Sequence, residues 1–151
     1  MPPRWEALPR YLTSVYASRY GNTAETRCVR YLVISLGGIL GANARYLLGN
    51  WVAARYGTSF PYGTMVINVS GSFVIGFFLV LITERFVVHP NWRLFFAVGF
   101  LGAYTTFSTF SFETATLMQG GSWWLGLANL VGSVVLGLVA VLTGMVLARL
   151  F

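Results

Sequence analysis

The sequence GFLGAYTTFSTF, residues 99–110, decides the fold because it places small and hydroxyl-bearing side chains in the middle of an apolar segment. Two phenylalanines, Phe107 and Phe110, lie three residues apart at its end. Hydrocarbon cannot hydrogen-bond polar side chains or irregular backbone, so a segment of this kind is tolerated only where it is buried in protein or lines a pathway. The pattern therefore predicts a channel or transporter rather than a membrane anchor.

The composition is that of an integral membrane protein. The chain has 151 residues, of which 56% are hydrophobic and 9% charged, and its mean hydropathy is +0.69; about a quarter of a soluble domain is charged. Four apolar segments, each near or above the roughly 20 residues that span hydrocarbon, run from Tyr31 to about Ala53, Tyr62 to Thr83, Trp92 to Met118 and Trp123 to Leu150. We predict an all-α membrane fold with four transmembrane helices.

The predicted domain organisation is an N-terminal polar tail, residues 1–30, and a four-helix channel domain, residues 31–151. The tail lacks the apolar core of a secretory signal. Its pattern leaves open both a short amphipathic surface helix and a disordered segment.

Charge and rare residues exclude several classes of protein. The formal net charge is +6, but all ten basic residues are arginines, and they do not form the clustered face that nucleic-acid binding requires. Cys28 is the only cysteine and His89 the only histidine. No disulfide within the chain, Cys-based metal site or Ser-His-acid constellation is therefore expected, and we predict neither an enzyme nor a nucleic-acid partner.

The loop charges are nearly balanced between the two sides of the membrane. Outside the tail, Arg85, Arg93 and Arg149 lie on the amino-terminal side, and Arg45 and Arg55 lie on the other. Because the arginine and lysine bias of short loops sets orientation, such a chain is expected to insert both ways and pair with an inverted copy. The arginines of the tail favour the amino terminus inside, which leaves open pairing with an oppositely biased partner instead of an inverted copy.

Neutral hydrogen-bond donors recur on two of the spans. Thr64, Asn68 and Ser72 share one face of the second span, and Asn129 and Ser133 share one face of the fourth. A path lined by amide and hydroxyl groups suits a small anion that must shed water without being trapped. The alternative is that these groups only bond between helices, at about 0.6 kcal/mol each.

The third span carries the remaining candidates. The ring edges of Phe107 and Phe110 are partly positive and would stabilise a dehydrated anion, and residues 102–106 have poor helix propensity, which predicts a break. Glu113, the only acid well inside a span, is expected to be paired. Arg45 is expected to reach the interface and attract anions at a vestibule.

Three stretches resemble the small Fluc (CrcB) fluoride channels of bacteria and archaea. They are GGILGANARY at residues 37–46, GTMVINVSGSF at residues 63–73, and residues 99–110 together with Glu113. Ala103 stands where the family usually has a second glycine, and we expect the helix break to survive this change because alanine is small.

The resemblance implies an antiparallel, dual-topology homodimer with two pores and a third helix broken near its middle. It places Asn68, Phe107 and Phe110 on the fluoride path, with Thr64, Thr106, Asn129 and Ser133 as further residues of that path. It also implies a structural sodium ion (Na+) held by the backbone carbonyls of Gly102 and Thr105, since hard oxygen ligands suit such a cation.

The predicted function is passive, fluoride-selective export across the inner or plasma membrane of a prokaryote, with the fluoride ion and the lipid bilayer as partners. Two rival hypotheses remain. A small four-helix proton-coupled exporter would need Glu113 as its essential acid, because no acid lies between Tyr31 and Ala53. A structural subunit without transport would be insensitive to substitution of Asn68 apart from its stability.

Overall fold

A computed structural model of the chain describes residues 24–86 and 88–151, and the predicted tail lies outside them up to residue 23. The described residues form helices and no strands. The elements are α1 (Ala24–Tyr56), α2 (Tyr62–Val80), α3 (residues 90–104), α4 (Phe107–Gln119) and α5 (Trp123–Leu150). Leu81–Arg85 continue α2 as a π-helical turn, and Arg93–Leu101 of α3 are π-helical.

Four helical stretches within the described residues are long and apolar enough to cross a membrane. They are Thr26–Tyr56, Tyr62–Arg85, Pro90–Gln119 and Trp123–Leu150. The prediction of an all-α protein with four membrane-spanning segments is confirmed. Within the described residues the first helix already includes Ala24, upstream of the predicted start of the span at Tyr31.

The contacts divide the chain into two units, Met1–Leu32 and Val33–Phe151. In the second unit, α2 packs most extensively against α5, and α4 packs against the same helix. A Cβ added to Gly76 would overlap the carbonyl of Val141, and one added to Gly144 would overlap the carbonyl of Phe73. Small residues therefore let the α2 and α5 backbones touch, as is typical of helix packing in lipid.

Glycines also set the contact between α1 and α3. A Cβ on Gly37 or Gly41 would overlap the carbonyl oxygens of Phe95 and Phe100, respectively, and Gly99 faces Gly37 across the contact. The close approach fixes α3 just before the point where its helix ends.

A series of packed aromatic rings forms the core near the end of α3. The ring of Phe96 lies 4.5 Å from Phe78 and 5.3 Å from Phe100, and the ring of Phe100 stacks on Tyr104 at 5.8 Å. Tyr104 is buried together with Ile67 of α2 and Leu101 of α3, so the end of α3 is anchored on α2.

Candidate functional site

The site is built around a short extended segment between α3 and α4. Thr105 (φ −80°, ψ 157°) and Thr106 (φ −149°, ψ 120°) have extended backbone, and α4 begins at Phe107. Two consecutive β-branched residues favour this conformation over helix. Thr106 then acts as the N-cap of α4, because its hydroxyl oxygen accepts a hydrogen bond from the N–H of Thr109 at 3.3 Å.

Asn68 holds the extended segment from α2. Its Nδ2 donates to the carbonyl oxygen of Thr106 at 2.9 Å, and the N–H of Thr106 donates to its Oδ1 at 2.9 Å. The side-chain amide thus pairs with both backbone groups of one residue, the N–H and the carbonyl of Thr106, as a neighbouring strand would. A primary amide has two N–H groups, so this pairing leaves one of them to donate to another acceptor.

Two neighbours of Asn68 complete the support. The hydroxyl groups of Ser70 and Tyr104 lie 2.8 Å apart and share a hydrogen bond. Gly71 packs against the methyl group of Thr105, which a Cβ at position 71 would overlap. Residues of one turn of α2 therefore contact each of residues 104–106.

The pairing with Asn68 also affects the backbone carbonyls that sequence analysis assigned to a sodium ion. In a continuous helix the N–H of Thr106 would donate to the carbonyl of Gly102, and the N–H of Thr109 to the carbonyl of Thr105. These N–H groups donate instead to Oδ1 of Asn68 and to the hydroxyl of Thr106. Both carbonyls lose their helical donors, which is the condition a hard cation ligand requires.

A cavity of about 370 Å³ lies against the extended segment. Seven of the residues predicted for the path or the sodium site line it, namely Asn68, Gly102, Thr105, Thr106, Phe107, Phe110 and Ser133. The two phenylalanine rings are 5.8 Å apart and inclined at 48°. Phe110 is 6% exposed, whereas Phe107 is 79% exposed.

A second cavity, of about 540 Å³, contains the predicted vestibule residue Arg45. Thr64 and Glu113 also line it, and the hydroxyl of Thr64 donates to Oε1 of Glu113 at 2.9 Å. Oε2 of Glu113 is buried and has no hydrogen-bond partner within the described residues. Thr106 lines both cavities, so the extended segment separates them.

Asn129 is the predicted path residue that lines neither of these two cavities. It is 1% exposed, and its Nδ2 donates to the hydroxyl oxygen of Thr114 at 2.8 Å. Ser133 lies one turn further along α5 and donates to Oδ1 of Asn129 at 3.4 Å. Sequence analysis missed Thr114, because a threonine four residues after Phe110 carries no signal that distinguishes it from other helical hydroxyl groups.

In the described part of the chain, no cluster of three or more His, Cys, Asp or Glu side chains could hold a metal ion. The site offers oxygen atoms as candidate metal ligands, from the backbone, from hydroxyl groups and from the side-chain amide of Asn68.

Comparison with known proteins gives a consistent result. A family model described as CrcB-like protein, Camphor Resistance (CrcB), matches residues 32–145. A protein of Solibacter usitatus (strain Ellin6076) named Fluoride-specific ion channel FluC is 55% identical over 121 residues, covering 80% of this chain and 99% of the relative.

Proteins with the same name in other bacteria are similar along the same length. The relative in Koribacter versatilis (strain Ellin345) is 52% identical over 119 residues, covering 79% of this chain and 94% of its own length. The relative in Sulfurihydrogenibium sp. (strain YO3AOP1) is 44% identical over 121 residues, covering 80% and 98%.

Proposed function

We propose that this chain, which belongs to the CrcB-like protein family, is a passive fluoride-selective channel that exports fluoride and lowers its cytoplasmic concentration. The bacterial relatives are named fluoride-specific ion channels, and the four apolar helices make the chain a multi-pass membrane protein. The family is one of ion channels, not enzymes. We place the protein in the inner or plasma membrane of a prokaryote.

The observation that carries this proposal is the position of Asn68. Its amide is hydrogen-bonded to Thr106 and borders the same cavity as Phe107 and Phe110. An amide N–H and two ring edges are neutral groups with partial positive charge, so they replace part of a fluoride hydration shell without the tight binding of a full cation. We assign these three residues to the fluoride path.

The polar track continues on both sides of this group. Thr106 borders both cavities and Thr64 borders the second one, so they connect the path to a vestibule where Arg45 attracts anions. Ser133 continues the lining on α5, and Asn129 belongs to the same track through its hydrogen bond with Ser133.

We further propose that the functional unit is an antiparallel, dual-topology homodimer with two pores, in which the third helix is broken at the extended segment. The 79% exposure of Phe107 in the single chain supports this, since a ring that contacts a dehydrated ion needs cover from a second chain. The near balance of loop arginines permits insertion in both orientations.

The carbonyls of Gly102 and Thr105 fit the proposed structural sodium ion. Both lose their helical donors to the pairings of Thr106 and Thr109, as described above. A sodium ion would supply fixed positive charge that satisfies these oxygens and ties two chains together at the dimer axis.

Passive export needs no energy source other than the membrane potential. An anion that leaves a cell with a negative interior gains about 2.3 kcal/mol per 100 mV. Fluoride enters as neutral HF and dissociates inside, so an open, selective path is sufficient to lower its concentration.

The alternative of a proton-coupled exporter is not favoured. The relatives are named as fluoride-specific ion channels.

The proposal is tested by efflux from liposomes. Purified protein, shown to be dimeric and supplied with sodium, is reconstituted into vesicles loaded with potassium fluoride, and a fluoride electrode follows release after valinomycin is added. We expect fast fluoride efflux, and no efflux of chloride from matched vesicles. Protein-free vesicles are the control. Equal fluoride release from vesicles with and without the protein would overturn the proposal.

A further inference from the structure

A chain of hydrogen bonds joins α5 to α4. It links three buried side chains to the backbone carbonyl of Phe110. Ser133 donates to Oδ1 of Asn129 at 3.4 Å, Nδ2 of Asn129 donates to the hydroxyl oxygen of Thr114 at 2.8 Å, and that hydroxyl donates to the carbonyl of Phe110 at 2.8 Å. Asn129, Thr114 and Ser133 are all buried polar residues, and Phe110 is buried with them.

The direction of these bonds is fixed by the chemistry of Thr114. Its single hydroxyl proton goes to the carbonyl of Phe110, so its oxygen must act as the acceptor for Asn129. An amide N–H buried at 1% exposure has no water to replace this acceptor. The pair is thus specific to an asparagine on one helix and a hydroxyl on the other.

The backbones of the two helices are close at this point. Gly126 lies one turn before Asn129, and a Cβ added there would overlap the side chain of Met118 and lie 3.3 Å from the carbonyl of Thr114. The turn of α4 that carries Phe110 and Thr114 is therefore held against α5 by both packing and hydrogen bonding. Neither Thr114 nor Asn129 lines either of the two cavities described above.

We infer that Asn129 is a positioning residue, which holds the Phe110 ring at the fluoride path through its hydrogen bond to Thr114. This inference rests on the proposed function, and it assigns to Asn129 a role different from direct contact with the ion. The ring of Phe110 must keep its edge toward the path, and a shift of the turn that carries it moves that edge.

The first test compares three substitutions by fluoride efflux per reconstituted dimer. Thr114→Val keeps the shape of the side chain but leaves the buried N–H of Asn129 without an acceptor, and we expect roughly tenfold slower efflux. Thr114→Ser keeps the hydroxyl and should stay near the wild-type rate. Asn129→Leu removes the other partner and should match Thr114→Val.

The double substitution Asn129→Leu with Thr114→Val shows whether the two residues act together. The double variant has no amide N–H left without an acceptor, and Ser133 loses Oδ1 of Asn129 just as it does in the single variant. We therefore expect efflux no slower than that of the slower single variant. Thr143→Val is the matched control, since Thr143 makes the same kind of bond to the carbonyl of Val139 but is exposed on α5. It should conduct like the wild type.

A second measurement reads the position of the ring without relying on flux. With para-fluorophenylalanine at position 110, fluorine NMR of the detergent-solubilised dimer reports the surroundings of that ring. We expect a shifted or broadened signal in Thr114→Val and Asn129→Leu, and the wild-type signal in Thr114→Ser and Thr143→Val.

Two results would overturn the inference. One is a wild-type signal and wild-type efflux in Thr114→Val. The other is loss of efflux in Asn129→Leu with an unchanged fluorine signal and a normal Thr114→Val, which would make Asn129 a direct ligand of the ion. If the wild-type protein carried no fluoride, the proposed function would fail, whereas the fluorine signals would still report whether Asn129 positions Phe110.

Discussion

The two halves of α2 perform different tasks with the same helical backbone. The first half contacts residues 104–106 at the extended segment, through Asn68 on Thr106, Ser70 on Tyr104 and Gly71 on Thr105. The second half packs against α5 through close backbone contacts, such as Gly76 on the carbonyl of Val141. The first half makes the hydrogen bonds that hold the extended segment, whereas the second half contributes close backbone contacts and aromatic packing between helices.

Because the two halves make different contacts, substitutions in them should affect transport and assembly separately. Changes at the residues that the first half supports should alter flux while the dimer remains intact. Changes in the second half should alter stability or assembly, and each dimer that still forms should conduct normally.

The largest effect is expected at Phe110, one of the three residues that we assign to the fluoride path. Phe110→Ile removes the polarised ring edge, and we predict that it abolishes fluoride efflux while the dimer assembles normally. Phe77→Ile is the matched control, because Phe77 packs on Phe73 and Phe151 and lines neither described cavity. Undiminished flux in Phe110→Ile would remove Phe110 from the mechanism.

Asn68→Asp should have the next largest effect. The carboxylate has nearly the same shape as the amide, but it cannot donate to the carbonyl of Thr106 and places negative charge beside the path. We predict at least about 100-fold slower efflux, equivalent to about 2.7 kcal/mol. Efflux at the wild-type rate, from protein of normal dimer content, would show that the amide is not needed.

A pair of glycine substitutions compares the two halves directly. Gly71→Ala would push against the methyl group of Thr105, and we predict roughly tenfold slower efflux with little change in assembly. Gly76→Ala would push against the α5 backbone and should lower thermal stability or dimer yield, with normal efflux per dimer. Gly132→Ala meets only the end of Met65 at 3.5 Å and should change neither.

The assignment of different tasks to the two halves of α2 would be wrong if Gly76→Ala slowed efflux and Gly71→Ala did not. Slow efflux per dimer in Gly76→Ala, together with normal efflux in Gly71→Ala, would show that the site depends on the α2–α5 contact rather than on the extended segment.

The smallest effect is expected where α2 and α5 end. Arg149 forms an exposed ion pair with Glu84 at 3.4 Å, and Arg85 donates to the carbonyl of Arg149. Exposed ion pairs contribute about 0–1 kcal/mol, so Arg149→Gln should leave efflux within about twofold of the wild type and shift thermal unfolding only slightly. A large loss of flux would mean that this end of the molecule takes part in transport.

Much of this arrangement could be predicted from the sequence because its signals are local. Apolar length predicted the four spans, and the four-residue spacing of Thr64 and Asn68 predicted their shared face. The low helix propensity of residues 102–106 indicated where a helix is difficult to continue, and Thr105 and Thr106 are extended in the structure.

Other features could not be predicted because they depend on contacts between distant parts of the chain. The hydrogen bond from Thr64 to Glu113 joins residues 49 positions apart, and that from Asn129 to Thr114 joins two spans. Spacing alone also placed Asn129 and Ser133 on one polar face. It could not show that Ser133 lines the first cavity and that Asn129 does not.

The central claim, passive conduction selective for fluoride, is tested most directly by the reversal potential in a planar bilayer. With a tenfold gradient of sodium fluoride and equal chloride on both sides, a fluoride-selective channel reverses near the fluoride equilibrium potential, about 59 mV for one charge. We predict that value, unchanged by a pH gradient. Reversal near zero, or reversal that follows the pH gradient as proton coupling requires, would contradict the claim.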